Sequence, residues 1–299
     1  MSLLESIILG FIQGVAEFLP VSSSGHLAIF KNFFENFFGI EEAGIAFDIL
    51  LHVGTLVAVF ICFWSDIWEL IVNGVGIVID ACKNIGIFFD NLVNKNKKDY
   101  TKKSYVEVIS TPFRRYVMLI IVATIPTGII GVVLKDLIES VSATLIVPGI
   151  CLLMTSVILL IADNAKDGNE NEENVSYKKA GFVGLCQGFA TMPGISRSGT
   201  TVTACLLAGM DRTFAVKFSF IVSIPAILGA AVLDIPDLFE VGVTGGELFN
   251  YAVGTVVAAV VGYICIKTML KIVRKKKFKG FSIYCAIMGL ISIIGFFLI

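Results

Sequence analysis

Long apolar runs broken by short polar interruptions dominate the chain. Runs near residues 46–64, 114–134, 143–162, 212–233, 247–268 and 280–298 approach or reach the ~20 residues a helix needs to cross a bilayer. Each is predicted to be a membrane-spanning helix. Residues 65–93 are less uniform, because Asp66, Glu69, Asp80, Lys83 and Asp90 interrupt them. That pattern predicts an interfacial helix or an extension of the preceding span. Four further segments are short. Residues 3–19 and 24–38 are joined by "LPVSS", and residues 178–192 and 197–210 by "MPGIS". Each pair reads as a re-entrant helix–loop–helix, over 3–38 and 178–210. A transmembrane barrel would instead show alternating segments of ~10 residues. The predicted class is an all-α polytopic membrane protein.

The two short pairs resemble each other. "GFIQGVAEFLPVSSSGH" begins at Gly10 and "GLCQGFATMPGISRSGT" at Gly184. In that alignment Gly10, Gln13, Gly14, Ala16, Ser22, Ser24 and Gly25 recur as Gly184, Gln187, Gly188, Ala190, Ser196, Ser198 and Gly199. These matches fall on polar and small positions, where chance hydrophobic similarity does not reach. The chain therefore reads as an internal duplication, 1–162 and 175–299, joined by an acidic linker at 163–174. Three predicted crossings per half is an odd number, so the halves have inverted topology. Inverted repeats bring broken helices together near the midplane of the bilayer and build polar sites there. The two turns, "PVSSSGH" and "PGISRSGT", are expected to face each other.

Composition agrees with a membrane protein. The chain of 299 residues is 56% hydrophobic and 16% charged, against about 25% charged in soluble domains. Its net charge of −1 conceals segregation. Residues 95–103, "KNKKDYTKK", carry five lysines, and residues 271–279, "KIVRKKKFK", carry six basic residues. Lys and Arg accumulate in cytoplasmic loops, so both stretches are placed inside. They are read as topology signals; no nucleic-acid partner is expected. Residues 163–179 are acidic and read as a flexible cytoplasmic loop. The N-terminus, "MSLLESIILG", lacks the basic region of a cleavable signal. Seven cysteines (62, 82, 151, 186, 205, 265 and 285) lie in apolar segments without a CxxC pair, and read as packing residues.

The chemistry concentrates in the two turns. The first offers Gln13, Glu17, Ser22, Ser23, Ser24 and His26; the second offers Ser196, Arg197, Ser198, Thr200 and Thr201. Gln13 and Glu17 are four apart and share one helical face. A charge at the centre of a membrane helix costs about 2.5–3.5 kcal/mol on insertion scales, so Glu17 and Arg197 need partners. Pairing with each other would satisfy both but leaves the crowded hydroxyls and glycines unexplained. A guanidinium among hydroxyls at a helix start suits a phosphate. Glu17 would repel that anion unless it holds a divalent cation or acts as acid or base. Mg²⁺ and Ca²⁺ take such oxygen ligands. His26, Ser22 and Ser23 are candidates for the attacking group or its activator. His52 reads as a core histidine with Asp48, one turn earlier, as its partner.

With both motifs in view, "QGVAEFLPVSSSGH" and "PGISRSGTT" resemble the two signatures of the undecaprenyl-diphosphate phosphatase family, the bacitracin-resistance type. The resemblance spans essentially the whole chain. It implies an integral enzyme of the plasma membrane that removes the terminal phosphate of a C55 polyprenyl diphosphate. The product is the carrier lipid of cell-wall assembly. It also implies a divalent cation, Mg²⁺ or Ca²⁺, and a site opening to the outer face. Carried over by position, Gln13 and Glu17 occupy the Glu/Gln-x-x-x-Glu pattern, His26 is the catalytic histidine, and Ser22, Ser23 and Ser24 line the turn. Ser196, Arg197, Ser198 and Thr201 form the phosphate loop. Gln13 departs from a two-carboxylate cation site, which leaves Glu17 as the metal ligand. The polyprenyl lipid and membrane lipids are the expected partners, and a homodimer is compatible. The phosphatidate phosphatase superfamily shares a Ser-Gly-His turn but needs a histidine after its Ser-Arg, and none follows Arg197. A polyprenyl-phosphate transporter without hydrolysis is the remaining alternative.

Overall fold

The computed structural model describes residues 1–38, 44–97, 100–142, 144–240 and 245–298. In chain order its helices are α1 (Leu3–Phe18), α2 (Ser23–Phe38), α3 (Ile45–Cys62), α4 (Trp64–Val93), α5 (Pro112–Val133), α6 (Lys135–Ser142), α7 (Ile146–Asn164), α8 (Tyr177–Phe189), α9 (Arg197–Leu207), α10 (Arg212–Glu240), α11 (Gly245–Arg274) and α12 (Lys279–Leu298). An isolated parallel bridge joins Glu170 to Met210. Among the described residues, α4, α5, α7, α10, α11 and α12 contain stretches long and apolar enough to cross a membrane. The protein is therefore an all-α, multi-pass membrane protein.

Local chemistry sets the ends of the short helices. At the start of α1, Ser2 Oγ accepts the Glu5 amide and the Glu5 carboxylate accepts the Ser2 amide, both at 3.2 Å. This reciprocal cap satisfies two amides that have no partner within the helix. Pro20 disfavours helical backbone at the residue before it, and Leu19 is extended (φ −73°, ψ 145°). The chain then turns through Ser22 at φ +72° and enters α2. In the second pair, Gly194 takes φ +94° in the turn between α8 and α9. Ser196 caps α9 by accepting the Gly199 amide at 3.1 Å.

Two differences from the sequence pattern concern α3 and α4. Phe63 leaves helical geometry (φ −122°, ψ 26°) between them, so residues 65–93 do not extend the preceding span. They form most of a separate helix that meets the length and hydropathy of a span, whereas the apolar stretch of α3, Ala46–Cys62, is shorter. Helix α4 has few buried residues, namely Ile67, Leu70 and Asp80. Asp80 ties it to α5 through Arg114 at 2.8 Å.

Interhelical packing relies on small residues. Helix α1 lies along α11, α8 along α5, α7 along α12 and α3 along α11. At the first contact, a Cβ on Gly10 would collide with the Gly254 carbonyl; at the second, a Cβ on Gly184 would collide with the Ala123 carbonyl. Such close approach replaces the hydrophobic drive that lipid does not supply between helices. The largest apolar cluster includes Phe18, Tyr116, Phe214, Phe218 and Phe220. Phe18 meets Phe220 edge-on at 5.5 Å, directly beside Glu17.

Residues 163–179 are tied down rather than forming a free loop. Buried Arg212 donates to Asp167 Oδ1 at 2.6 Å and to the Ala165 carbonyl at 2.8 Å. Lys276 bonds the other oxygen of Asp167 at 2.8 Å, and the Asp211 amide bonds the Glu170 carbonyl at 2.8 Å. The acidic stretch is thus a latch on the neighbouring basic segment. Of the seven cysteines, all are free and four are buried, but Cys82 is exposed on α4 and does no packing there.

Hydrogen bonds from Lys276 and Arg212 hold the Asp167 carboxyl below its ordinary range. Its contribution to stability is therefore present at neutral pH and lost as pH falls through that lowered value. Arg212→Ala is expected to destabilise the purified protein by about 2 kcal/mol, because it strands buried carbonyls. Thermal unfolding in detergent measures this, and an unchanged midpoint would show that the latch is dispensable.

Candidate active site

The centre of the site is one ion pair. Glu17, near the end of α1, is 6% exposed and pairs with Arg197, the first residue of α9. The other carboxylate oxygen of Glu17 accepts the Ser23 hydroxyl at 2.6 Å and the Gln13 amide at 3.1 Å. Gln13 and Glu17 stand together because they are one turn apart on α1. Ser23 reaches them because the left-handed Ser22 folds the start of α2 back over the end of α1.

The two turns touch each other. A Cβ on Gly25 would lie 2.9 Å from the Gly194 Cα. Ser24 Oγ accepts the Gly194 amide at 3.4 Å, and the Ser198 hydroxyl donates to the Leu19 carbonyl at 3.4 Å. The starts of α2 and α9 thus lie on either side of the Glu17–Arg197 pair. Positive dipole ends at both starts favour an anion there.

Other candidate residues divide by location. Ser196 is fully buried, and its amide donates to Thr155 on α7 at 2.9 Å; its hydroxyl is the cap of α9, so Ser196 shapes the loop. Thr201 donates to the Arg197 carbonyl at 2.8 Å and meets Ser219 of α10 at 2.5 Å. Thr200 Oγ1 is buried without a hydrogen-bond partner. Behind the ion pair lies a small cavity of about 10 Å³, lined by Glu17, Arg197, Ser198, Thr201, Ser219 and Ser223 among others. That volume is at the threshold for one water molecule.

The ring nitrogens of His26 are engaged outside the ion pair. Its Nδ1 lies 2.8 Å from the Ser22 carbonyl and its Nε2 lies 2.7 Å from the Tyr284 hydroxyl on α12. The rings of His26 and Tyr284 are nearly parallel, with centroids 5.5 Å apart.

His52 was expected in the core with Asp48, and the structure separates them. Asp48 pairs with Lys31 of α2 at 2.6 Å. His52 is partly exposed, and its Nδ1 lies 3.1 Å from Gln13 Nε2 and 3.9 Å from the Glu17 carboxylate. It therefore belongs to the site. Ser219, Ser223 and Tyr284 were also not anticipated. The rarity of histidine in this chain was an available signal for His52; hydroxyls and a tyrosine inside long apolar helices carried none.

Gln13 Oε1 is buried and lacks a hydrogen-bond partner. Gln13 Oε1, the Glu17 carboxylate and the Ser23 hydroxyl are oxygens of the kind Mg²⁺ and Ca²⁺ accept, although the Gln13 atom that faces Glu17 is its amide nitrogen. Among the described residues, no cluster of three or more His, Cys, Asp or Glu side chains forms a metal site.

Comparison with known proteins agrees over the full length. A protein named undecaprenyl-diphosphatase from Methanosphaera stadtmanae is 39% identical over 98% of both chains. One of the same name from Desulforapulum autotrophicum is 37% identical over 99% of both. Undecaprenyl-diphosphatase 4 of Bacillus thuringiensis is 36% identical over 98% of this chain and 97% of its own. Residues 6–291 match the family model described as bacitracin resistance protein BacA, which takes in both turns and every helix that meets at the Glu17–Arg197 pair, and the chain belongs to that family.

Proposed function

We infer that the protein is an integral membrane phosphatase that hydrolyses undecaprenyl diphosphate to undecaprenyl phosphate and inorganic phosphate. This returns the carrier lipid to cell-wall synthesis and confers resistance to bacitracin. One observation carries the reading: a serine hydroxyl 2.6 Å from a buried carboxylate whose other oxygen holds an arginine. That set contains an attacker, a base and an anion clamp.

Phosphoryl transfer needs mostly positioning and neutralisation of charge. Arg197 and the amides at the starts of α2 and α9 bind the diphosphate. The incoming phosphate draws Arg197 away from Glu17, which leaves Glu17 free to act as a base. Ser23 Oγ attacks the terminal phosphorus and gives its proton to Glu17. The bridging P–O bond breaks, and Glu17 passes the proton to the departing undecaprenyl phosphate. In the second step water gives a proton to Glu17 while its oxygen bonds to phosphorus. Ser23 Oγ leaves and takes that proton back. Gln13 and His52 orient Glu17, and Ser22, Ser24, Ser198, Thr200 and Thr201 furnish hydroxyls around the phosphates. The C55 tail stays among the lipids throughout.

A divalent cation, Mg²⁺ or Ca²⁺, is part of this reading. Glu17 and the unpartnered Gln13 Oε1 are the groups that would hold it, and it would supply positive charge beside the phosphate oxygens. The same proposal places the basic segments 95–103 and 271–279 in the cytoplasm and opens the pocket to the outer face. It takes the halves as an inverted duplication. Reciprocal packing supports this: α1 lies on α11 as α8 lies on α5.

Purified protein in detergent is expected to release phosphate from undecaprenyl diphosphate when Mg²⁺ or Ca²⁺ is added. Ser23→Ala and Arg197→Met should each lower kcat by at least about 100-fold. No release from folded wild type with either cation would overturn the assignment. Stability separates the pair from its chemistry. Arg197→Met alone should destabilise the protein by about 3 kcal/mol, since it leaves Glu17 buried and unpaired. Adding Glu17→Gln should restore much of that loss in thermal unfolding while turnover stays abolished.

A further inference from the structure

The hydrogen bonds around His26 determine its protonation. A carbonyl oxygen only accepts, so the Nδ1 atom facing Ser22 must carry the proton in the neutral ring. Nε2 then presents a lone pair, and the Tyr284 hydroxyl 2.7 Å away donates to it. The Ser22 carbonyl also accepts the His26 backbone amide at 3.2 Å. Two donors from one residue thus hold the carbonyl of the left-handed Ser22, next to the hydroxyl that meets Glu17. Tyr284 is 258 residues away from His26 in sequence, on a helix whose neighbouring Cys285 also reaches the first turn, its thiol donating to the Pro20 carbonyl at 3.7 Å.

We propose that Tyr284 is a positioning residue that acts through His26: the Ser22 carbonyl sets the Nδ1–H tautomer, the Tyr284 hydroxyl donates to Nε2 and holds the imidazole in place, and the imidazole in turn locks the Ser22 turn that presents Ser23 to Glu17. The proposal rests on the phosphatase reading for its kinetic consequence, but its structural core does not. Tyr284 touches neither the phosphate loop nor the ion pair, so its loss should leave substrate binding intact. Helix α12 is thereby coupled to the turn, and Tyr284, 42% exposed, is the link between the pocket and the surface of the bundle.

The test combines ¹⁵N NMR of the two histidines with steady-state kinetics on full-length protein in detergent. His52→Gln assigns the two imidazole signals. In wild type, His26 is expected as the Nδ1–H tautomer; the Nε2–H tautomer would overturn the proposal, whatever the turnover. Tyr284→Phe keeps the stacked ring and removes only the hydroxyl, so thermal unfolding should change little. In that variant the Nδ1–H tautomer should persist while the signal of the unprotonated Nε2 moves on losing its donor, kcat should fall about tenfold, a factor typical of one lost hydrogen bond, and KM should stay within about twofold. Wild-type kcat in Tyr284→Phe would overturn the proposal, and so would a loss of kcat with the Nε2 signal unmoved. If wild type itself releases no phosphate, the phosphatase reading fails, while the Nε2 signal in Tyr284→Phe still decides whether Tyr284 holds His26.

Discussion

A buried carboxylate is paired with a partly buried guanidinium within a lipid-embedded protein, and the architecture follows from the need to bring them into contact. Either charge alone at the centre of a membrane helix costs about 2.5–3.5 kcal/mol. Glu17 and Arg197 lie 180 residues apart, on short helices in different halves of the chain. Their meeting requires the end of α1 and the start of α9 to lie at the same place. That in turn requires α1 to seat against α11 and α8 against α5, where Gly10 and Gly184 let backbones touch. The glycine contacts and the ion pair are thus parts of one constraint. Close packing delivers the charges, and their pairing removes the penalty of having them there.

Irregular backbone within the bilayer is tolerated only where protein or water covers it. The two turns meet this condition by covering each other. Ser22 and Gly194 both adopt positive φ, and Gly194 presses against Gly25 of the opposite turn. Thr155 of α7 stitches the second turn from behind, donating to the Gly194 carbonyl and accepting the Ser196 amide. His26 does the corresponding work on the first turn from the side of α12. The polar groups of the pocket are therefore braced by long helices, and those helices in turn are joined by the Asp167–Arg212–Lys276 latch.

Much of the fold was legible because its signal is local. A run of apolar residues needs no distant partner to declare a membrane helix, so α5, α7, α10, α11 and α12 fall close to where the hydropathy pattern places them. Short polar turns inside apolar sequence are equally visible, and they named Gln13, Glu17, the serines, His26 and Arg197 as chemistry. The break between α3 and α4 was not legible, since Phe63 is neither glycine nor proline and carries no mark of a helix end. The latch at residues 163–170 was hidden for another reason: an acidic stretch looks solvated until the basic side chains that bind it are placed beside it.

Partner choice shows the boundary most clearly. One helical turn separates Asp48 from His52, and the local pattern pairs them. Packing instead turns Asp48 toward Lys31 and His52 toward Gln13. Tyr284 sits in an apolar helix where a tyrosine is unremarkable, and it becomes the partner of His26 only when α12, packed along α7, brings it to the start of α2. The amino-acid pattern alone was enough to establish the class of protein, the helices and the two polar turns, because these depend on burial length and backbone preference within a few residues. Which hydroxyl meets which carboxylate, and which hydroxyl meets His26, was decided by helix packing. Hydrogen bonds act over about 3 Å, and only the assembled bundle sets distances on that scale.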